Sequence, residues 1–297
     1  MTKEQIADWF ADLQSRICAA IEQADGSGKF EAEHWQREGG GGGRSRVLQN
    51  GTVLEKAGVG FSAVHGTLPE NIQNALRVSD NRFFATGVSI VMHPRSPFVP
   101  IIHKNVRYFE LQDGTCWFGG GIDLTPHYIN DEDARYFHSQ LKAVCDRHDE
   151  NYYLNFKTWA DEYFFIKHRN ETRGIGGIFF DRLTPTSTHS KEQLWAFVQD
   201  VGNTFAPVYS HLIQKNKDLP YTEAHKHWQG VRRSRYVEFN LVYDKGTKFG
   251  LDTNGRTESI LMSMPPQAIW PYDYHPAPHS PEAETLAKLV KGIHWAE

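Results

Sequence analysis

At 297 residues, with 39% hydrophobic and 13% aromatic content, the chain can bury a substantial core; its length is near the upper limit for one core, and with no long linker a single domain over 1–297 is expected. Lys and Arg number 32 against 36 Asp and Glu, a net charge of −4, which excludes the basic field that draws nucleic acid or anionic lipid, so an anionic ligand needs local arginines. Three widely spaced cysteines without a CxxC pair, Cys18, Cys116 and Cys145, predict a reducing compartment, most simply the cytosol, and no apolar run approaches the roughly 18–20 residues of a membrane span.

In chain order, Thr2 and Gln5 form a capping box, and Ile6, Phe10, Leu13, Ile17 and Ile21 recur at helical spacing until Gly26. The opening residues, without basic flank or apolar run, predict no targeting signal in the chain as given. WQREGGGGGRSRVL (35–48) sets five glycines between Arg37 and the pair Arg44 and Arg46. Its spacing is neither a P-loop nor GxGxxG. Two readings remain: a flexible surface connection, or a mobile anion-binding lid whose arginine forks close over a large ligand.

Short β-branched and aromatic runs follow, VLQNGTVLE, FFATGVSIVMH and VRYFELQDGTCWFGGGI, the last a hairpin turning at Gln112-Asp113-Gly114. From Asp131, two segments with apolar residues at spacings of 3 and 4 predict helices. GGIFFDRL reads as a buried strand, 191–215 as a long helix, RYVEFNLVYDKGTKFGLDTNGRTESILMSM as a second hairpin around Asp244-Lys245-Gly246, and SPEAETLAKLVKGI as a Ser-capped helix. Hairpins outnumber βαβ units, which predicts an α+β fold: a large, mostly antiparallel sheet flanked on both faces by helices.

Fifteen histidines raise a metal hypothesis, but neither an HExxH motif nor two His at i and i+4 on one predicted helix supports it beyond hydrogen-bonded histidines at surfaces or interfaces. No GxSxG elbow appears. HRNETRGIGGIFFDRL gathers His168, Arg169, Arg173 and Asp181 at a turn into a strand, and RRSRYVEF to TNGR adds Arg232, Arg233, Arg235 and Arg256. Arginines beside glycines in three regions point to a large ligand with several carboxylates or phosphates.

WQREGGGGGRSRVLQNG, VSIVMHPRSPFVPIIHKNVRYFE, WFGGGIDLTPHY, YFFIKHRNETRGIGGIFFD, YVEFNLVYDKGTKFGL and GRTESILMSMPP resemble, in order and over nearly the full chain, the oxygen-dependent coproporphyrinogen III oxidases. The resemblance implies conversion of the ring A and B propionates of coproporphyrinogen III to vinyl groups, giving protoporphyrinogen IX, CO2 and H2O2 in haem biosynthesis. O2 would be the co-substrate, without an organic cofactor, and the chain a homodimer. A non-catalytic porphyrinogen-binding protein of the same fold is the alternative.

By matching positions, the resemblance implies His103 as proton donor, and Ser89, Asn105, Val106, Arg107, Asn254, Gly255 and Arg256 as substrate contacts. It implies His93, His103, His138 and His168 as ligands of a divalent metal such as Mn2+, with His168 and residues around 237–271 also candidates for the dimer contact. Three positions depart from the family pattern. Asp181-Arg182 stands for two aspartates, leaving the carboxylate role to Asp181; Trp159-Ala160-Asp161 replaces Trp-Cys-Asp; and Asn254 precedes Gly255 and Arg256 where glycine is common.

Overall fold

Thr2 and Gln5 close the predicted reciprocal cap, and the helix they start, α1 (Lys3–Asp25), ends at Gly26. The computed structural model describes residues 1–68, 70, 73, 74, 81–252 and 255–297. After α1 come strands β1 (Glu31–Gln36), β2 (Gly41–Gln49), β3 (Leu54–Thr67), β4 (Arg82–Pro94), β5 (Ile101–Leu111) and β6 (Cys116–Thr125). Helices α2 (Asp131–Asp146) and α3 (Tyr152–Tyr163) precede a two-stranded pair, β7 (Phe165–Ile166) and β8 (Glu171–Thr172), and then β9 (Gly176–Leu183). The chain closes with α4 (Lys191–Asn216), α5 (Glu223–Val242), α6 (Lys245–Asp252), α7 (Thr257–Leu261) and α8 (Pro281–Ala287).

Seven strands form one sheet in the order β1-β2-β3-β4-β5-β6-β9, with every neighbouring pair antiparallel. Side chains alternate across a strand, so each register fixes two faces. Val88, Ile90, Met92, Ile102, Val106, Tyr108, Phe118, Ile122 and Leu124 point to one face, where they join Ile6, Phe10, Phe137, Phe156, Phe197 and Phe205 of helices α1 to α4 in the main core. Each large side chain buried there contributes about 1.5–3 kcal/mol. The other face is partly covered by α5, whose Tyr236 packs on Val91 and Ile101 and whose Phe239 clusters with Phe179. The predicted α+β architecture is present.

Two expectations are corrected. Three of the five glycines, Gly41 to Gly43, are sheet rather than a loose connection: Gly42 and Gly43 pair with Gln36 and Trp35 on one side and with Ala63 and Ser62 on the other. The turn is confined to residues 37–40, closed by Gly40 N donating to Arg37 O. Gly41 has a φ of 79°, and a Cβ there would lie 2.3 Å from Ala63 O, which is why the segment is so bare.

The expected second hairpin is helical, α5 through α7. YVEFNLVY alternates like a strand, yet buried Trp228, Arg232, Tyr236 and Phe239 recur at spacings of 3 and 4. A buried arginine within that stripe breaks the apolar pattern that marks a helix.

Candidate active site on the second face of the sheet

Ser89 is exposed although β4 is the central strand of seven, so the second face is open at its middle. Registers align its residues in rows. Gly60, Ser89, Asn105, Gly121 and Phe179 are successive cross-strand partners from β3 to β9. One step outward run Ser62, Gly87, Arg107 and Gly119, and one step inward Gly58, Val91, His103, Asp123 and Gly177. The result is a floor whose middle carries glycine and small polar side chains, walled by Met262 after α7 against Gly58 and Gly60 and by Tyr163 stacked on Phe179 at 4.1 Å. Side chains this small across the middle of the floor leave room above it for a broad ligand.

At the inner row His103 Nδ1 lies 3.1 Å from Asp123 Oδ1. Asp123 also accepts from Arg173 Nη2, at 2.8 and 2.7 Å, and from its Nε at 3.2 Å. Burial alone would raise the Asp123 carboxyl, but the Arg173 guanidinium and the His103 contact outweigh it and hold it below the usual range. Arg173 is itself buried between the rings of Phe164, Tyr236 and Phe239, 4.4 to 4.8 Å from each centroid. A charged carboxylate only accepts, so His103 Nδ1 carries a proton and Nε2 is the nitrogen left to exchange a proton with a ligand.

Ser89, Asn105, Arg107 and His103 thus share one face. Asn105 Oδ1 is buried with no hydrogen-bond partner among the described residues. Arg107 Nη2 pairs with Asp181 Oδ1 at 3.0 Å. Val106 is buried in the core on the opposite face, so its side chain faces away from this floor. Arg256 lies at the β1 edge, with Nη2 on Glu33 Oε1 and Nη1 buried and unpartnered among the described residues. Gly255 lies beside it, just before α7, while Asn254 is outside the described residues.

Asp181 is not the carboxylate that meets His103. It stands opposite Gly119, two rows outward, or roughly 13 Å along the strand at 3.3 Å per residue. Asp123 takes that place. Its sequence signal was an acid in GGGIDLT, inside a strand whose ten residues are all buried.

The four histidines do not assemble. His138 lies on the core side, its nitrogens 2.9 Å from Tyr153 Oη and Ile175 O, and burial lowers its pKa to about 3. His168 spends both nitrogens on Tyr243 Oη and Glu238 Oε2. His93 Nε2 is 2.8 Å from Ser263 O, and burial, reinforced by Arg233, takes it to about 3. Among the described residues no three His, Cys, Asp or Glu side chains converge as a metal-binding group, so this set does not fit a shared divalent ion.

The arginines divide likewise. Arg44, cross-strand from Phe61, faces α1, where it bonds Gln14, Ala11 O and Ser15; Arg46, on the same face of β2, lies beside Cys18. Neither points to the floor, which removes the basis for a lid built on them. A groove of about 270 Å³ on that α1 side, lined by Ala11, His34, Gly42, Gly43, Arg44, Phe61 and Ala63, falls below the roughly 300 Å³ of ordinary ligand pockets. Arg232, Arg233 and Arg235 are helical and committed to Glu171, Glu55 and Glu238.

The model of the coproporphyrinogen III oxidase family matches residues 5–295. The oxygen-dependent coproporphyrinogen-III oxidase, chloroplastic, of Nicotiana tabacum is 47% identical, the match covering 96% of this chain and 75% of that one. Coproporphyrinogen-III oxidase 1, chloroplastic, of Arabidopsis thaliana is 48% identical, covering 95% and 76%.

Proposed function

Since the chain belongs to the coproporphyrinogen III oxidase family, we infer that it performs the O2-dependent oxidative decarboxylation of coproporphyrinogen III. The ring A and B propionates become vinyl groups and the product is protoporphyrinogen IX, a step of haem biosynthesis. Each conversion removes CO2, a proton from the carbon next to the ring, and two electrons; O2 takes the electrons with two protons and leaves as H2O2.

The observation that carries this reading is the row of small residues Gly60-Ser89-Asn105-Gly121 beside the His103–Asp123–Arg173 chain. Asn105 Oδ1, a buried acceptor without a donor, suits a pyrrole N–H, and Ser89 offers a hydroxyl beside it. His103, with Nδ1–H fixed by Asp123, presents Nε2 to the substrate, where it takes a proton and, as the imidazolium, becomes the proton donor that the family resemblance implies. Asp123 stabilises the imidazolium so formed, and Arg173 keeps Asp123 charged. Arg107 and Arg256 supply the charge that carboxylate side chains seek. The reading takes O2 as the sole co-substrate, with no organic cofactor, because a porphyrinogen is itself the electron donor. No step runs through a metal.

The whole chain is taken as one domain, supported by the span of the family match. It is also taken as a homodimer, supported by exposed Leu241, Val242, Leu251, Ile269 and Trp270 in one stretch of the chain. Three free, buried cysteines support a reducing compartment, here the cytosol; among the described residues no helix is long and apolar enough to cross a membrane. The test is incubation with coproporphyrinogen III in air and under argon. Vinyl product in air alone supports the reading; tight binding without product in either gas would make the chain a carrier.

A further inference from the structure

Resting on that reading, we propose that the H2O2 formed on the floor oxidises Met262 to its sulfoxide, so that activity falls as turnovers accumulate. Met262 follows α7 and lies along β3 on the floor's face: a Cβ on Gly58 would lie 3.1 Å from its Sδ, and one on Gly60 2.8 Å from its Cε. The two glycines leave the space that the thioether fills. Its neighbours pin it there. Ser259 Oγ is 3.0 Å from Ser45 Oγ on β2, Ser263 O is 2.8 Å from His93 Nε2 on β4, and Met264 O accepts from Lys56 Nζ on β3 at 2.8 Å.

The registers fix how far the sulfur stands from the chemistry. Gly60 faces Ser89, and Gly58 is joined through Val91 to His103. The side chain is therefore one strand from Ser89 and two from His103, about 5 and about 10 Å at the spacing of strands. Ser89 is exposed and Gly60 partly so, which leaves the floor open at the Cε end, yet Met262 itself is only 8% exposed and is shielded from oxidants in bulk solution. The chain's other three methionines are placed differently. Met1 is 38% exposed, Met92 points into the main core on the opposite face, and Met264 is partly exposed.

The proposed reaction supplies the oxidant, since each conversion leaves one H2O2 on the floor, close to the thioether before it escapes. The sulfur lone pair attacks one peroxide oxygen; the O–O bond breaks, an S–O bond forms, and the second oxygen leaves with both protons as water. Sulfur loses two electrons and the peroxide gains them. A thioether is apolar and adaptable, whereas the sulfoxide is polar, so the oxidised side chain no longer suits the gap over two glycines and disturbs the floor. Methionine sulfoxide reductases reverse the change, which makes Met262 a resettable brake on the site.

The test is turnover of the unaltered protein with coproporphyrinogen III in air, with catalase present to destroy peroxide that has left the floor, followed by mass spectrometry that separates Met262 from Met264. Met262 should gain one oxygen in step with vinyl product, at least about tenfold faster than Met1 or Met264, and methionine sulfoxide reductase should restore the lost activity. Added H2O2 without substrate should reverse the order, reaching Met1 and Met264 first. Met262→Leu, measured against its own starting rate, should lose activity at least about tenfold more slowly per turnover, because leucine has no sulfur to oxidise. Vinyl product without sulfoxide at Met262, the same order of oxidation with and without substrate, or full protection by catalase overturns the inference. Absence of vinyl product sinks the enzymatic reading instead.

Discussion

His103 Nδ1 and Asp123 Oδ1, on neighbouring strands in direct register, lie 3.1 Å apart, and the same carboxylate is gripped by the buried Arg173. One hydrogen bond therefore sets the histidine tautomer, while an ion pair sets the charge of the group that makes it.

Removing either end of this chain should slow turnover, but only one removal should weaken the fold. His103→Ala is expected to lower kcat about 10² or more with KM and melting temperature nearly unchanged. Asp123→Asn should lower kcat similarly and also destabilise by about 3 kcal/mol, since Arg173 then keeps an uncompensated buried charge. Turnover and thermal melts of both variants and of the double variant check this. The double variant should lose little more rate than either alone, and additive losses would mean the two residues act separately.

Gly119 lets Arg107 and Asp181 meet above the floor: a Cβ there would lie 2.6 Å from Arg107 Nε and 2.8 Å from Asp181 Oδ1. Gly119→Ala should push the two side chains apart, raising KM several-fold, while the melting temperature holds because flexible tips, not backbone, must move. Steady-state kinetics beside a melt decide it. A lost fold with normal KM in the surviving protein would contradict it.

Acid stability should depend on Glu238. It joins His168, Arg169, Arg235 and Trp270; burial would raise its pKa, but the hydrogen bonds from Arg169 and His168, with the Arg235 charge, bring it from 4.5 down to about 2. A carboxylate with a depressed folded pKa stabilises fully above its unfolded value, and that contribution fades as pH falls from about 4.5 to about 2. Glu238→Gln should cost on the order of 2–3 kcal/mol at pH 7 and flatten the decline in this window. Denaturant midpoints from pH 7 to pH 3 measure both. An unaltered slope would show that Glu238 titrates alike in both states.

His138 should prove structural. His138→Ala removes a buried ring that bonds Tyr153 and Ile175 O and should cost about 2–4 kcal/mol, with kcat preserved in the folded fraction. Metal analysis of the purified variant and parent accompanies the melt. A stoichiometric metal in the parent that disappears in His138→Ala would restore the histidine-ligand set.

Much of this was legible in the residues and some was not, for physical reasons. The α1 cap, the hairpin at 112–114 and the helices from Asp131 follow from local signals that tertiary packing left intact. Five glycines suggested slack because their entropy argues for it, but two strands and close backbone contacts at Gly41 and Gly43 hold them. The second half of α5, from Arg235, reads as strand because Arg232, Arg233 and Arg235 occupy buried positions, where ion pairs replace apolar packing. Ser89, Asn105 and Arg107 were recognised through family resemblance, yet only the registers show that they share a face while Val106 leaves it. Asp123 went unnoticed because one acid in an apolar strand carries no motif; its meaning comes from His103 and Arg173, 20 and 50 residues away.

The direct measurement of where the substrate lies is a structure of the chain crystallised without oxygen in the presence of coproporphyrinogen III. The macrocycle should rest on Gly60, Ser89, Asn105 and Gly121, with a pyrrole N–H toward Asn105 Oδ1 and a reacting propionate beside His103. Density on the α1 side instead, in the groove lined by His34, Arg44 and Phe61, would contradict the assignment of the second face as the active site.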